Sequence, residues 1–221
     1  MGSVDERVRQ AGLLYEQAVF SGEVGPLADA DRELDAAEAD LAVARGRVMH
    51  TRFLLHRDED PDRARADDGE LALFERAAQL YRALGDAGGE AEALFWVGCY
   101  HQVARRDHAA AGPVLEQARQ LAAQAGSKAT ESEVLRHLGI QAHAAGQLDL
   151  ARTQLEESTR LRREIRHMPG VAANLVGLAY ISAAQGRRDD ALAFLDEAAA
   201  IAGAHRAPRI LQQVSEARSA L

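Results

Sequence analysis

The stretch Leu80-Tyr-Arg-Ala-Leu-Gly-Asp-Ala-Gly-Gly-Glu-Ala-Glu-Ala-Leu-Phe-Trp-Val-Gly98 has a counterpart in Leu121-Ala-Ala-Gln-Ala-Gly-Ser-Lys-Ala-Thr-Glu-Ser-Glu-Val-Leu-Arg-His-Leu-Gly139. Leu80, Gly85, Glu90, Glu92, Leu94 and Gly98 return 41 positions later as Leu121, Gly126, Glu131, Glu133, Leu135 and Gly139. The series continues: Leu135, Ala142, Gly146, Ala151 and Leu155 return 40 positions later as Leu175, Ser182, Gly186, Ala191 and Leu195. A self-similar period of about 40 residues marks a chain built by stacking one small unit. Two helical patterns separated by glycine fill each period, so the unit is a pair of helices and the expected fold is an all-α solenoid.

Working outward, the spacing predicts helix pairs over 90–104 with 108–125, 130–145 with 148–166, and 170–185 with 188–202. An earlier, half-matching pair has its second helix at 70–84, with Phe74 and Ala77 where later repeats carry Leu115 and Ala118, Leu155 and Ser158, Leu195 and Ala198. Its first helix is longer, 30–56, with Leu34, Ala37, Leu41, Ala44, Val48 and Leu55 reading as one apolar stripe. A last helix, 207–220, is expected to cap the stack, whose end otherwise leaves an apolar face in water. Near the start, Val4, Val8, Ala11, Tyr15 and Ala18 form a second stripe. It reads either as a cap on the long helix or as a helix lying in the groove of this chain or a neighbour. The organisation is therefore N-terminal helices and an acidic loop over 1–67, then repeats over 68–221, in one continuous solenoid.

Composition agrees. Hydrophobic residues make up 47% and charged residues 27% of 221 residues, enough apolar side chain for a core and too much for disorder. Ala and Leu carry the apolar share and aromatics are 5%, which favours helices over strands. Lys128 is the one lysine beside many arginines, the usage of a GC-rich bacterial genome. With a net charge of −8 and no basic stripe, the chain lacks the phosphate-neutralising surface that nucleic-acid binding needs. Cys99, the single cysteine, allows no internal disulfide and fits a reducing cytoplasm. The first ten residues are charged where a secretory signal is apolar, and Glu6 stands where a myristoylation motif asks for Ser or Thr. No stretch approaches about 20 apolar residues, so no membrane span is expected and the chain reads as cytoplasmic.

The repeats resemble those of the tetratricopeptide repeat family. Leu135, Leu138-Gly139, Ala142, Gly146, Ala151, Leu155 and Ser158 follow its order of residues. So do Leu175, Leu178-Ala179, Ser182, Gly186, Ala191, Leu195 and Ala198, and, with one extra residue in the turn, Leu94, Val97-Gly98, Ala111, Leu115 and Ala118. The likeness is clear over about 68–202 and poor over 1–67. The 40-residue length is that of the variant repeats in bacterial regulatory sensor proteins. The small residues Gly98, Gly139 and Ala179 would let paired helices approach closely. The resemblance implies a right-handed solenoid of antiparallel pairs whose concave groove holds a protein or peptide. It places Phe95, Cys99, Arg136, Ile140, Val176 and Tyr180 at the groove surface, with Gln102, His143, Glu92 and Glu133 a turn away. The lysines, arginines and asparagines that clamp a chaperone tail in some members are not reproduced. Two other readings use the same features. In one, Glu92, Glu133, Arg136, His143 and Tyr180 serve a small molecule or a reaction; in the other, the groove or an open edge of the stack joins two copies of the chain.

Other motifs fail on spacing. Asp58-Glu-Asp60-Pro-Asp62 opens like a calcium loop, but Arg63 occupies the required glycine position and Gly69 that of the closing glutamate. Gly126-Ser-Lys128-Ala-Thr130 lacks the order of a phosphate loop. Histidines at 50 and 56, 101 and 108, and 137 and 143 miss the four-residue step of a helical metal pair. No nucleophile elbow, Cys-x-x-Cys or dinucleotide glycine pattern occurs. No catalytic residue, metal or cofactor is therefore expected.

Overall fold

The computed structural model describes residues 6–60 and 66–221. Among these residues there are ten α-helices and no strand: α1 (Glu6–Ser21), α2 (Gly25–Glu59), α3 (Asp68–Leu84), α4 (Ala87–Cys99), α5 (His108–Gln124), α6 (Lys128–Ala144), α7 (Leu148–Glu164), α8 (Met168–Ala184), α9 (Arg188–Ala204) and α10 (Pro208–Ala220). A single π turn, Tyr100–Ala104, continues α4. Within each of two compact units neighbouring helices pack in series, and the fold is an all-α, solenoid-like repeat. Two compact units divide between Val114 and Leu115, inside α5. At residue 67, where the sequence places the start of the repeats, α2 and α3 pack against each other.

The helices end where the turn chemistry stops them. From α5 to α9 every helix has 17 residues. Each is followed by a residue of positive φ, at Gly126, Gly146, Arg166, Gly186 and Arg206. The amide one residue beyond then reaches back five residues, as Gln147 does to Ala142 at 2.9 Å and His167 to Arg162 at 2.8 Å. This closure satisfies carbonyls that a helix end leaves open, and it needs the left-handed conformation that glycine adopts freely. Arg166 and Arg206 adopt it with φ of 58° and 51°. The helical period is thus 20 residues, half the sequence period.

In the second unit, Leu115–Leu221, α6 packs on α7, α7 on α8, α8 on α9 and α9 on α10. Leu155 of α7 is buried between two glycines. A Cβ on Gly139 would lie 3.0 Å from its Cδ1 and 3.3 Å from the carbonyl oxygen of Ala151, and one on Gly177 would lie 3.0 Å from its Cδ2. Leu175, Leu178, Ile181 and Leu195 complete the core, and α10 covers its end with Val214 and Ala217.

In the first unit, Met1–Val114, α1 packs on α2, α2 on α3 and α3 on α4. Aromatic rings meet glycines here: a Cβ on Gly46 would lie 2.5 Å from the Phe74 ring, and one on Gly89 would overlap the Tyr81 ring. Phe74 also stacks on Trp96 at 5.6 Å between centroids. The apolar stripe of the long helix faces solvent, with Leu34, Leu41, Val48 and Leu55 exposed. α2 buries Ala39, Ala42, Val43 and Gly46 instead. The ring contacts need small partners, so the face with least side chain turns inward and the leucines turn out. α1 lies on α2 through Ala11 and Ala18, with Val8 and Tyr15 exposed. Val4 and residues 61–65 of the acidic segment lie outside the described residues. Of that segment's ends, 58 and 59 close α2, and Asp67 caps α3 by accepting from the Gly69 amide at 2.8 Å.

Candidate functional site

The second unit contains a polar cluster where the repeat pattern calls for apolar residues. Counterparts of Asn174 at 40-residue spacing are Val134 and Val214; those of Arg162 are Ala122 and Ala202; those of Ser158 are Ala118 and Ala198, all buried. Asn174 itself is fully buried on α8. Its Nδ2 donates to Ser158 Oγ at 2.8 Å, and the Ser158 hydroxyl donates to the Ser132 carbonyl at 2.6 Å. Its Oδ1 accepts from two guanidiniums, Arg136 Nη1 at 3.0 Å and Arg162 Nη1 at 3.1 Å. Arg162 also donates to the Gly170 carbonyl and pairs with Glu133 at 2.6 Å. Among the described residues, Arg136 Nη1 otherwise finds only the Ala173 carbonyl, at 3.1 Å.

Two cations here share one carboxylate, and Arg162 holds it. Burial, reinforced by the charge of Arg162 and opposed by that of Glu133, pushes Arg136 down to about 10. Burial also lowers Arg162, against the pull of Glu133. Arg136 nevertheless keeps its charge at neutral pH, and a part-buried charge with no ion pair among the described residues is costly. It lines a cavity of about 290 Å3 together with Ile140, His143, Val176, Tyr180 and, from α10, Gln213 and Glu216. Arg136 is the cationic end, Tyr180 and the aliphatic side chains form the walls, and Glu216 is the one carboxylate.

Five residues that the resemblance places in the groove are thus brought together in one cavity, namely Arg136, Ile140, His143, Val176 and Tyr180. Glu133 stands behind Arg136 as partner of Arg162. In the first unit Glu92 is half-exposed and pairs with Arg47 at 3.4 Å. Phe95, Cys99 and Gln102 are buried, at 4%, 3% and 5% exposure, and offer no open surface. The expectation that these three face a groove is corrected by that burial, because neighbouring side chains cover Phe95 and Cys99. Phe95, for instance, meets Trp96 edge-on at 5.0 Å. Arg162, Asn174, Gln213 and Glu216 were not legible as site residues, although the breaks in the repeat at 162 and 174 are a usable signal.

The first unit also holds a thiol, an imidazole and a carboxylate in line. His50 Nδ1 donates to Glu70 Oε1 at 2.8 Å, and its Nε2 lies 3.6 Å from Cys99 Sγ. All three are buried, and they fasten α2, α3 and α4 to one another. With both imidazole nitrogens engaged, the trio is a chain of hydrogen bonds and not a cage. No group of His, Cys, Asp and Glu among the described residues is arranged to hold a metal ion. Nor is any helix among them long and apolar enough to cross a membrane.

No family model matches the chain, and no curated protein does. Among solved structures, the crystal structure of BtubC (BKLC) from P. vanneervenii is similar, with 16% identity over 91% of this chain and 90% of that one, at a TM-score of 0.52. At that identity the likeness is one of fold.

Proposed function

We propose that this chain is a cytoplasmic, tetratricopeptide-like binding protein that takes a carboxylate of a peptide or protein partner into the cavity at Arg136. The observation that supports this reading is the mismatch of charge there, one buried and one part-buried guanidinium to one carboxylate. An incoming carboxylate would supply the missing counter-ion, and the planar guanidinium can offer it parallel hydrogen bonds. Tyr180 and Ile140, 38% and 39% exposed, would contribute apolar contact area at the rim. A cavity of about 290 Å3 lies at the small end of ligand pockets, suited to one residue or chain end.

A displayed peptide library with free C-termini would be selected on the protein, and the enriched peptides resynthesised as acids and as amides. The acid forms should bind at least tenfold more tightly than the amides. Arg136→Ala and Tyr180→Ala should each weaken binding by at least about 1 kcal/mol, as anchors of these types do. Arg160→Ala, on an exposed side chain paired with Glu157 and Glu164, should not. Equal affinity of acids and amides would defeat the proposal. Competition by free amino acids or small dicarboxylates alone would favour a small-molecule ligand at the same cavity.

A further inference from the structure

The face that α2 turns to solvent is periodic. Leu27, Leu34, Leu41, Val48 and Leu55 follow at steps of seven and are between 40% and 60% exposed. Three positions after the middle members come Ala37, Ala44 and Thr51, of which Ala44 and Thr51 are also exposed. A strict seven-residue apolar repeat is the pattern by which one helix winds about another, large residues on one row and small on the next. It runs for about 42 Å at 1.5 Å per residue. Along its second half lies a groove of about 760 Å3, lined by Leu41, Ala44, Val48 and Met49 of α2 and by Asp67 and Glu70 beside them.

Charge along α2 is segregated. Asp29, Asp31, Glu33, Asp35, Glu38 and Asp40 occupy the first half with Arg32 the lone cation; Arg45, Arg47, Arg52 and Arg57 occupy the second with no acid until 58. Asp31, Glu33, Arg45 and Arg52 make no ion pair among the described residues. Two such helices side by side in the same direction would set acid against acid and base against base. Run in opposite directions, they set each acidic half against a basic one.

We infer that α2 is the interface of an antiparallel homodimer. Leu41 packs opposite the partner's Ala44, Leu34 opposite the partner's Thr51, and Val48 opposite the partner's Ala37, so these three large residues each face a small one. Asp31 and Glu38, the latter also bound by Arg76 of its own chain at 2.8 Å, then approach the partner's Arg52 and Arg45. The occupant is a second copy of this chain because the helix is complementary to its own reverse, as a two-fold interface requires. A pairing of this length is of the scale of a standard interface, about 1,200–2,000 Å2 in total.

Sedimentation equilibrium of the whole chain tests this. The expected mass at micromolar concentration is twice 23.8 kDa. Leu41→Arg should give a monomer of unchanged helix content, since Leu41 is 60% exposed and its replacement removes nothing from the core. Arg45→Glu with Arg52→Glu in one chain, and Asp31→Arg with Glu38→Arg in another, should each weaken self-association at least tenfold, and mixing the two should restore a dimer. For direction, oxidation of the variant carrying Leu34→Cys and Thr51→Cys should link 34 to 51. A monomeric wild type, a dimer indifferent to Leu41→Arg, or a 34-to-34 link would each overturn the proposal.

Discussion

The two units close their helices by different means. In the second, Leu155 is gripped between Gly139 and Gly177, and α6 to α9, all of one length, alternate with one kind of turn. In the first, Phe74 lies on Gly46 and Tyr81 on Gly89, beneath a helix of 35 residues. A leucine against a glycine is a contact that any repeat can reuse, because the side chain adjusts its rotamer to the space. A ring against a glycine is a single fit of a flat, stiff group to a bare backbone, and it does not recur. The unit made of reusable contacts therefore keeps a visible period, and the unit made of single fits loses it.

The largest expected effect bears on the exception within the regular unit. Asn174→Leu would leave two guanidiniums and the Ser158 hydroxyl without their shared partner, and urea unfolding should show a loss of about 3–5 kcal/mol. A loss near zero would mean that the polar cluster is satisfied by water. Next comes the contrast between ring and leucine. Gly89→Ala should cost about 1–3 kcal/mol, since the added methyl meets the stiff Tyr81 ring. Gly139→Ala should cost less than about 1 kcal/mol because Leu155 can give way, and Gly139→Leu is needed to reach about 1–3 kcal/mol. Equal costs for the two alanine variants in thermal melts would erase the distinction drawn between the units. The smallest effect concerns the turns. Arg166→Gly should stabilise by about 0.5 kcal/mol, the relief of a left-handed backbone less the added freedom of glycine when unfolded. A lowered melting temperature would show that the Arg166 side chain holds a contact worth more than the strain.

Most helix boundaries were legible because Gly85, Gly126, Gly146 and Gly186 stand at helix ends with positive φ. Arg106, Arg166 and Arg206 adopt the same conformation with no compositional mark. The ends of α7 and α9 accordingly came out two residues late and two residues early, at 166 and 202 against Glu164 and Ala204. The inward face of α2 was not legible, because large apolar residues outweigh alanines in a search for periodicity, while ring packing prefers the alanines. At the site, the second-unit groove positions were reached through agreement with a repeat pattern. Arg162 and Asn174 escaped for the opposite reason, since they matter by disagreeing with it.

That disagreement bears on fidelity of assembly. A chain of look-alike helices risks joining α6 to the wrong neighbour, within one molecule or between two, because apolar faces of similar shape accept one another almost equally. Asn174, with Ser158 and Arg162, removes that tolerance. Helices shifted by one repeat would bring Asn174 to the place of Val134 or Val214 and strand its amide among alkyl groups. One polar residue thus acts as a serial number in an array of near-copies, since the correct order of helices is the one in which the buried hydrogen bonds of Asn174 are made.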